Sequence, residues 1–137
     1  MVESLLHKRL VAKISKWVQR TSAEEIIILS DAADSSLTGS SPPRLEGCIP
    51  DIYAIGKKSN FIFIGEAKAS QFDLESGHSE KQFETYLKHC SVKQSSMVIL
   101  AVPLELINCA KSILCAIKKA NNLKEVSTYV LGISDLL

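Results

Sequence analysis

From Glu3 to about Arg20 the apolar residues Leu6, Leu10, Ile14, Trp17 and Val18 recur at helical spacing, with Lys8, Arg9, Lys13 and Lys16 between them. This pattern predicts an amphipathic helix with a basic outer side. Glu25 to Leu29 reads as a short strand, and Asp31 to Gly47 is rich in Ser, Asp, Gly and Pro, as expected of an exposed loop. Two further strands, Asp51 to Ile55 and Phe61 to Lys68, are separated by the polar run Gly56-Lys57-Lys58-Ser59-Asn60, which has hairpin character. The second of these is apolar on both faces and belongs in the middle of a sheet. Ser79 and Gln82 have the spacing of a capping box, opening a helix that places Phe83, Tyr86, Leu87 and Cys90 on one side. Met97 to Val102 is a wholly apolar strand. Pro103 turns the chain into a second amphipathic helix with a stripe of Ile107, Ala110, Ile113, Leu114 and Ile117, stopped by Asn121-Asn122. Thr128 to Ile133 forms a last strand.

The order is therefore αβββαβαβ. A hairpin followed by strands that alternate with helices implies an α/β fold with a central mixed β-sheet flanked by helices, because parallel neighbours need crossover connections. No repeat or linker interrupts the 137 residues, which fit a single domain over 1–137.

Composition narrows the function classes. With 46% hydrophobic residues, 23% charged residues and a formal net charge of +1, the chain is an ordinary globular protein and no polycation, so any nucleic-acid contact must be local. No apolar run approaches a membrane span and no secretory pattern opens the chain, so a soluble, cytoplasmic protein is expected, with no membrane partner. Cys48, Cys90, Cys109 and Cys115 show neither metal-finger nor disulfide spacing and read as free thiols. His7 and His89 fall in helical patterns as surface or core residues, while His78 lies in a polar loop near the charged strand.

Candidate chemistry gathers where the central strand ends, at Gly65-Glu66-Ala67-Lys68. Side chains alternate across a strand, so Glu66 and Lys68 share a face while Ala67 points away. Opposite charges on a strand fit for burial demand partners. Asp51, at the start of the preceding strand, lies at the same end of the hairpin and can bring a second carboxylate to Glu66. Paired carboxylates suit Mg²⁺ or Mn²⁺, and the Ala67 backbone carbonyl is a further candidate ligand. Lys68 could then hold or activate an attacking water and offset charge building on a phosphate.

Pro50-Asp51, fourteen intervening residues and then Glu66-Ala67-Lys68 resembles the PD-(D/E)xK signature of the restriction-endonuclease-like nuclease superfamily. Gln82 and Tyr86 fit the Gln-x-x-x-Tyr element carried by some of its branches on the helix after the catalytic strand. The resemblance covers roughly residues 1 to 102. It implies a restriction-endonuclease-like core and Mg²⁺-dependent hydrolysis of DNA, with endonucleolytic cutting expected. Asp51 and Glu66 would be metal ligands, Lys68 the catalytic lysine, and Gln82 and Tyr86 site residues that hold DNA. Glu3, the acidic residue of the first helix, is a further candidate for the metal.

Lys8 and Arg9 on the first helix and Lys57 and Lys58 at the hairpin turn are the candidate DNA-binding cations. Without a recognition domain, a homodimer or a subunit of a larger nuclease complex is expected. The competing expectation is a catalytically silent nuclease-fold domain that binds nucleic acid or protein.

Overall fold

The computed structural model describes residues 4–31, 41–93 and 95–134. Glu3, residues 32–40 of the polar loop and the terminal Asp135-Leu136-Leu137 lie outside the described residues. Helix α1 (Leu5–Thr21) begins at Ser4, whose hydroxyl accepts a hydrogen bond from the His7 amide at 3.0 Å, satisfying one of the free N–H groups of the first turn. Its buried residues Leu10, Val11, Ile14 and Val18 follow the expected stripe.

Strands β1 (Ile26–Ser30), β2 (Ile52–Gly56), β3 (Ile62–Ala67), β4 (Ser96–Pro103) and β5 (Ser127–Ile133) form one five-stranded sheet in sequence order. The pairs β1–β2 and β2–β3 are antiparallel, and the pairs β3–β4 and β4–β5 are parallel. All six residues of β3 are buried, as its apolar character on both faces requires of a central strand.

Between β3 and β4 come α2 (Gln71–Leu74), a single turn that the sequence pattern does not announce, and α3 (Gly77–Ser91). A 3₁₀ turn, Leu104–Leu106, leads from β4 into α4 (Ile107–Ala120). Helix α4 ends at Asn121, and Asn122 turns the chain with a φ of 59°, a conformation that Asn tolerates better than most residues. Of its predicted stripe, Ala110, Leu114 and Ile117 are buried and Ile107 and Ile113 partly so.

The sheet divides the apolar interior in two. Residues of α1 pack with Ile52, Ala54, Phe63, Ala67, Ile99 and Ala101 on one face. On the other face Tyr53, Ile64 and Leu100 pack with Phe83, Tyr86 and Leu87 of α3 and Leu114 and Ile117 of α4. Successive crossovers in one direction along the sheet put α3 and α4 on the same face. Gly65 lets α1 settle closely, since a Cβ there would stand 2.7 Å from Ile14 Cγ2. Among the described residues no helix is long and apolar enough to cross a membrane.

One boundary differs from the sequence expectation. Ser79 does not cap α3. Ser76 does, its hydroxyl accepting from the Ser79 amide at 3.1 Å, while the Ser79 hydroxyl donates to the Asp73 carbonyl at 2.6 Å. Both hydroxyls donate to the Asp73 carbonyl presented by α2, and Ser76 is the cap because the helix already begins at Gly77, which leaves Ser79 inside its first turn.

Candidate active site

Register sets the first pair of groups. Ile52 pairs with Gly65, so Asp51, one residue before β2, stands across from Glu66, one residue further along β3. Asp51 Oδ2 accepts from the Ala67 amide at 2.9 Å, which ties the carboxylate to the strand carrying Glu66. Ala67 thus meets Asp51 through its N–H. His7 of α1 reaches the same oxygen, with Nε2 at 3.3 Å.

The second pair of groups comes from α3, and here two periodicities coincide. Residues 66 and 68 on the strand are about 6.6 Å apart at ~3.3 Å per residue, and residues 82 and 86 on the helix are about 6 Å apart at ~1.5 Å per residue. Two strand side chains can therefore each meet one helix side chain. The Tyr86 hydroxyl donates to Glu66 Oε1 at 3.0 Å, and Lys68 Nζ donates to Gln82 Oε1 at 2.6 Å. Lys68 Nζ also lies 3.7 Å from Glu66 Oε2, 3.9 Å from Asp73 Oδ1 and 6.0 Å from the centre of the Phe83 ring. The Lys68 amide continues the parallel pairing by donating to the Ala101 carbonyl at 3.0 Å, which holds the backbone extended past the end of β3.

The five residues singled out in the sequence, Asp51, Glu66, Lys68, Gln82 and Tyr86, are thus brought together. Tyr86 is fully enclosed and Glu66 and Lys68 are each only 4% exposed, whereas the Asp51 side chain retains 13% of its surface. Burial pushes the Glu66 carboxyl well above the ordinary carboxylate range, and the neighbouring Asp51 charge pushes it further. Lys68 and the Tyr86 hydroxyl act the other way, without offsetting the burial. The Tyr86 phenol is itself raised, first by burial and then by the Glu66 charge, so it stays a hydrogen-bond donor.

These donors fit a hard divalent cation: two carboxylates face each other, and positive charge placed between them would offset the Asp51 repulsion that adds to burial in raising the Glu66 carboxyl. Among the described residues no group of three His, Cys, Asp or Glu side chains forms a ready-made metal cluster, so other ligands would have to come from backbone, water or substrate.

The remaining candidates are dispersed. Lys8 and Arg9 follow His7 on α1 and so stand at the Asp51 end of the sheet. Lys57 and Lys58 stand at the opposite end, past the last residue of β2, roughly 20 Å of strand from Asp51 at ~3.3 Å per residue. Lys57 is also paired with Glu25 at 3.0 Å. His78 is exposed on the first turn of α3. The sequence reading did not single out His7 or Asp73 for the site. His7 had a signal, since it lies three, four and seven residues before Leu10, Val11 and Ile14 and so shares their buried face. Asp73 had none, because α2 is too short to show a period.

Comparison with models of protein families, with curated proteins and with solved structures finds no match to this chain.

Proposed function

We propose that this chain is a Mg²⁺-dependent nuclease with a restriction-endonuclease-like core that hydrolyses DNA phosphodiester bonds. One observation carries the reading: Asp51 stands opposite Glu66 across the hairpin, while Gln82 and Tyr86 engage Lys68 and Glu66 one-to-one from the next helix. The sheet supports it too, with a helix, three antiparallel strands, a helix and a parallel strand in the order expected of such a core.

In this reading Asp51, Glu66 and the Ala67 carbonyl hold the ion, with Mn²⁺ able to substitute. When bound, the ion supplies charge for the scissile phosphate and lowers the pKa of a water. Lys68 steadies the attacking water and offsets charge on the phosphate oxygens, its ammonium aimed by Gln82. Tyr86 fixes the rotamer of Glu66, and His7 and the Ala67 amide fix Asp51. Lys8 and Arg9 provide backbone contacts at the same end. A homodimer, or a subunit of a larger nuclease complex, would supply the DNA coverage that this small domain lacks.

A second reading, a catalytically silent domain of the same fold, draws on the near-complete burial of Glu66 and Lys68. Mn²⁺ titration by calorimetry separates the two. The nuclease reading expects binding that Asp51→Asn and Glu66→Gln each abolish or weaken at least tenfold. Absence of binding in the parent protein, with and without DNA, supports the silent domain instead.

A further inference from the structure

Helix α2 is a single turn, yet hydrogen bonds hold it at both ends. The Ser70 hydroxyl accepts from the Asp73 amide at 3.2 Å, and the Leu74 amide donates to the Ser70 carbonyl at 3.0 Å. The Asp73 carbonyl accepts from the Ser76 and Ser79 hydroxyls at 2.9 and 2.6 Å. Leu74 is only 1% exposed and anchors the turn in the core. Phe72, between these contacts, is 88% exposed, more than any other large apolar side chain among the described residues. Single exposed apolar residues are ordinary on protein surfaces, so the place of this ring matters more than its exposure.

That place is the mouth of the candidate site. Asp73, the next residue, brings Oδ1 to 3.9 Å from Lys68 Nζ while its side chain stays 49% exposed, so it marks the solvent-facing rim. One peptide step of ~3.8 Å separates the Asp73 Cα from that of Phe72, which puts Phe72 roughly 10 Å from the ammonium. Successive nucleotides of one strand advance ~3.4 Å, so a base within about three nucleotides of a phosphate at Lys68 falls beside Phe72. From Ser70 to Ser76 the chain carries Asp73 and Glu75 and no Lys or Arg, so this turn has no cation for phosphate oxygens. What it offers is an aromatic face, which suits the flat, uncharged face of a base. Within a duplex both faces of a base are already stacked, so the ring can stack only on a base that is unpaired or opened.

We propose that Phe72 stacks on an unpaired base within about three nucleotides of the scissile phosphate, so that the preferred substrate is DNA with a single-stranded segment beside the cut and not continuous duplex. The choice of DNA and the position of the phosphate rest on the nuclease reading, whereas the base contact rests on the exposed ring and its fixed turn.

The test is fluorescence anisotropy with labelled duplexes that carry a short single-stranded overhang of either polarity, its nucleotides intact or all abasic, in EDTA and in Ca²⁺, with the label checked for cleavage afterwards. Removing the bases keeps the backbone charge, so the comparison isolates stacking. The parent should bind the intact overhang at least fivefold more tightly than the abasic one. Phe72→Ala should erase that difference by weakening only the intact overhang, and Phe72→Trp should keep it. Because Phe72 is exposed, both variants should melt within a few degrees of the parent. Val92→Ala should leave the difference unchanged: Val92 is 77% exposed but caps the far end of α3, about 22 Å along the helix at ~1.5 Å per residue. Equal binding of intact and abasic overhangs by the parent, or a difference that survives in Phe72→Ala, would overturn the proposal. So would self-association in sedimentation that Phe72→Ala abolishes while DNA binding stays as in the parent, since the ring would then face a second copy. A Phe72-dependent preference in a protein that cleaves no DNA in Mg²⁺ or Mn²⁺ would uphold the base contact and sink the nuclease reading. Cleavage with no dependence on Phe72 would do the reverse.

Discussion

Tyr86→Phe removes one oxygen from the interior and keeps the ring that packs between α3 and the sheet. The lost hydroxyl donates to Glu66 Oε1 at 3.0 Å, with Tyr86 fully buried and Glu66 nearly so. A hydrogen bond to a charged acceptor contributes about 1.5–3 kcal/mol and one between neutral groups about 1 kcal/mol, so the loss depends on the state of Glu66. At neutral pH with Mn²⁺ present, Glu66 is expected to be ionised and the larger range applies. For a chain of 137 residues this corresponds to a Tm fall of about 5–12 °C, at roughly 3–4 °C per kcal/mol. The assay is thermal unfolding followed by circular dichroism for the parent, Tyr86→Phe, Glu66→Gln and the double variant. In the Glu66→Gln background the same change should cost only about 1 kcal/mol, because a neutral amide replaces the carboxylate. Equal costs in the two backgrounds would refute the argument that the hydroxyl acts through the Glu66 charge.

Further outcomes follow from the same geometry. Because burial raises the Glu66 carboxyl, the folded chain keeps a proton that the unfolded chain releases; its contribution is full below the unfolded value near 4.5 and is lost as pH rises through the folded value. In pH-dependent melting of the metal-free protein, Glu66→Gln should therefore remove that decline and melt higher than the parent at pH 7.5. Gly65→Ala should cost about 1–3 kcal/mol in urea unfolding by driving a methyl into Ile14, and combining it with Ile14→Ala should cost less than the sum of the single changes. His7→Ala should leave the melting temperature within a few degrees but reduce Mg²⁺-dependent cleavage about 10–100-fold, as expected when a supporting contact to a metal ligand is lost.

Much of this arrangement could be read from the chain because it depends on short periods. Alternation alone puts Glu66 and Lys68 on one face, the hairpin puts Asp51 opposite Glu66, and a four-residue helical step puts Gln82 and Tyr86 where they meet Lys68 and Glu66. Apolar character on both faces placed β3 in the middle of the sheet. What escaped depends on contacts between elements distant in sequence. Ser79 has the spacing of a cap, but the short turn of α2 delivers the chain to a helix that begins three residues earlier, behind Ser76. His7 was visible as a member of the α1 stripe, but nothing local shows that the stripe ends against Asp51.

The central claim, that Asp51, Glu66 and Lys68 form a metal-dependent nuclease site, is tested most directly by incubating duplex, single-stranded and branched DNA with the parent protein, Glu66→Ala and Lys68→Ala, with and without Mg²⁺. The account predicts cleavage by the parent only when Mg²⁺ is present, and a loss of at least a hundredfold in each variant. Cleavage by Glu66→Ala and Lys68→Ala at the parent rate, or no cleavage of any of these DNAs by the parent in Mg²⁺ or Mn²⁺, would contradict it.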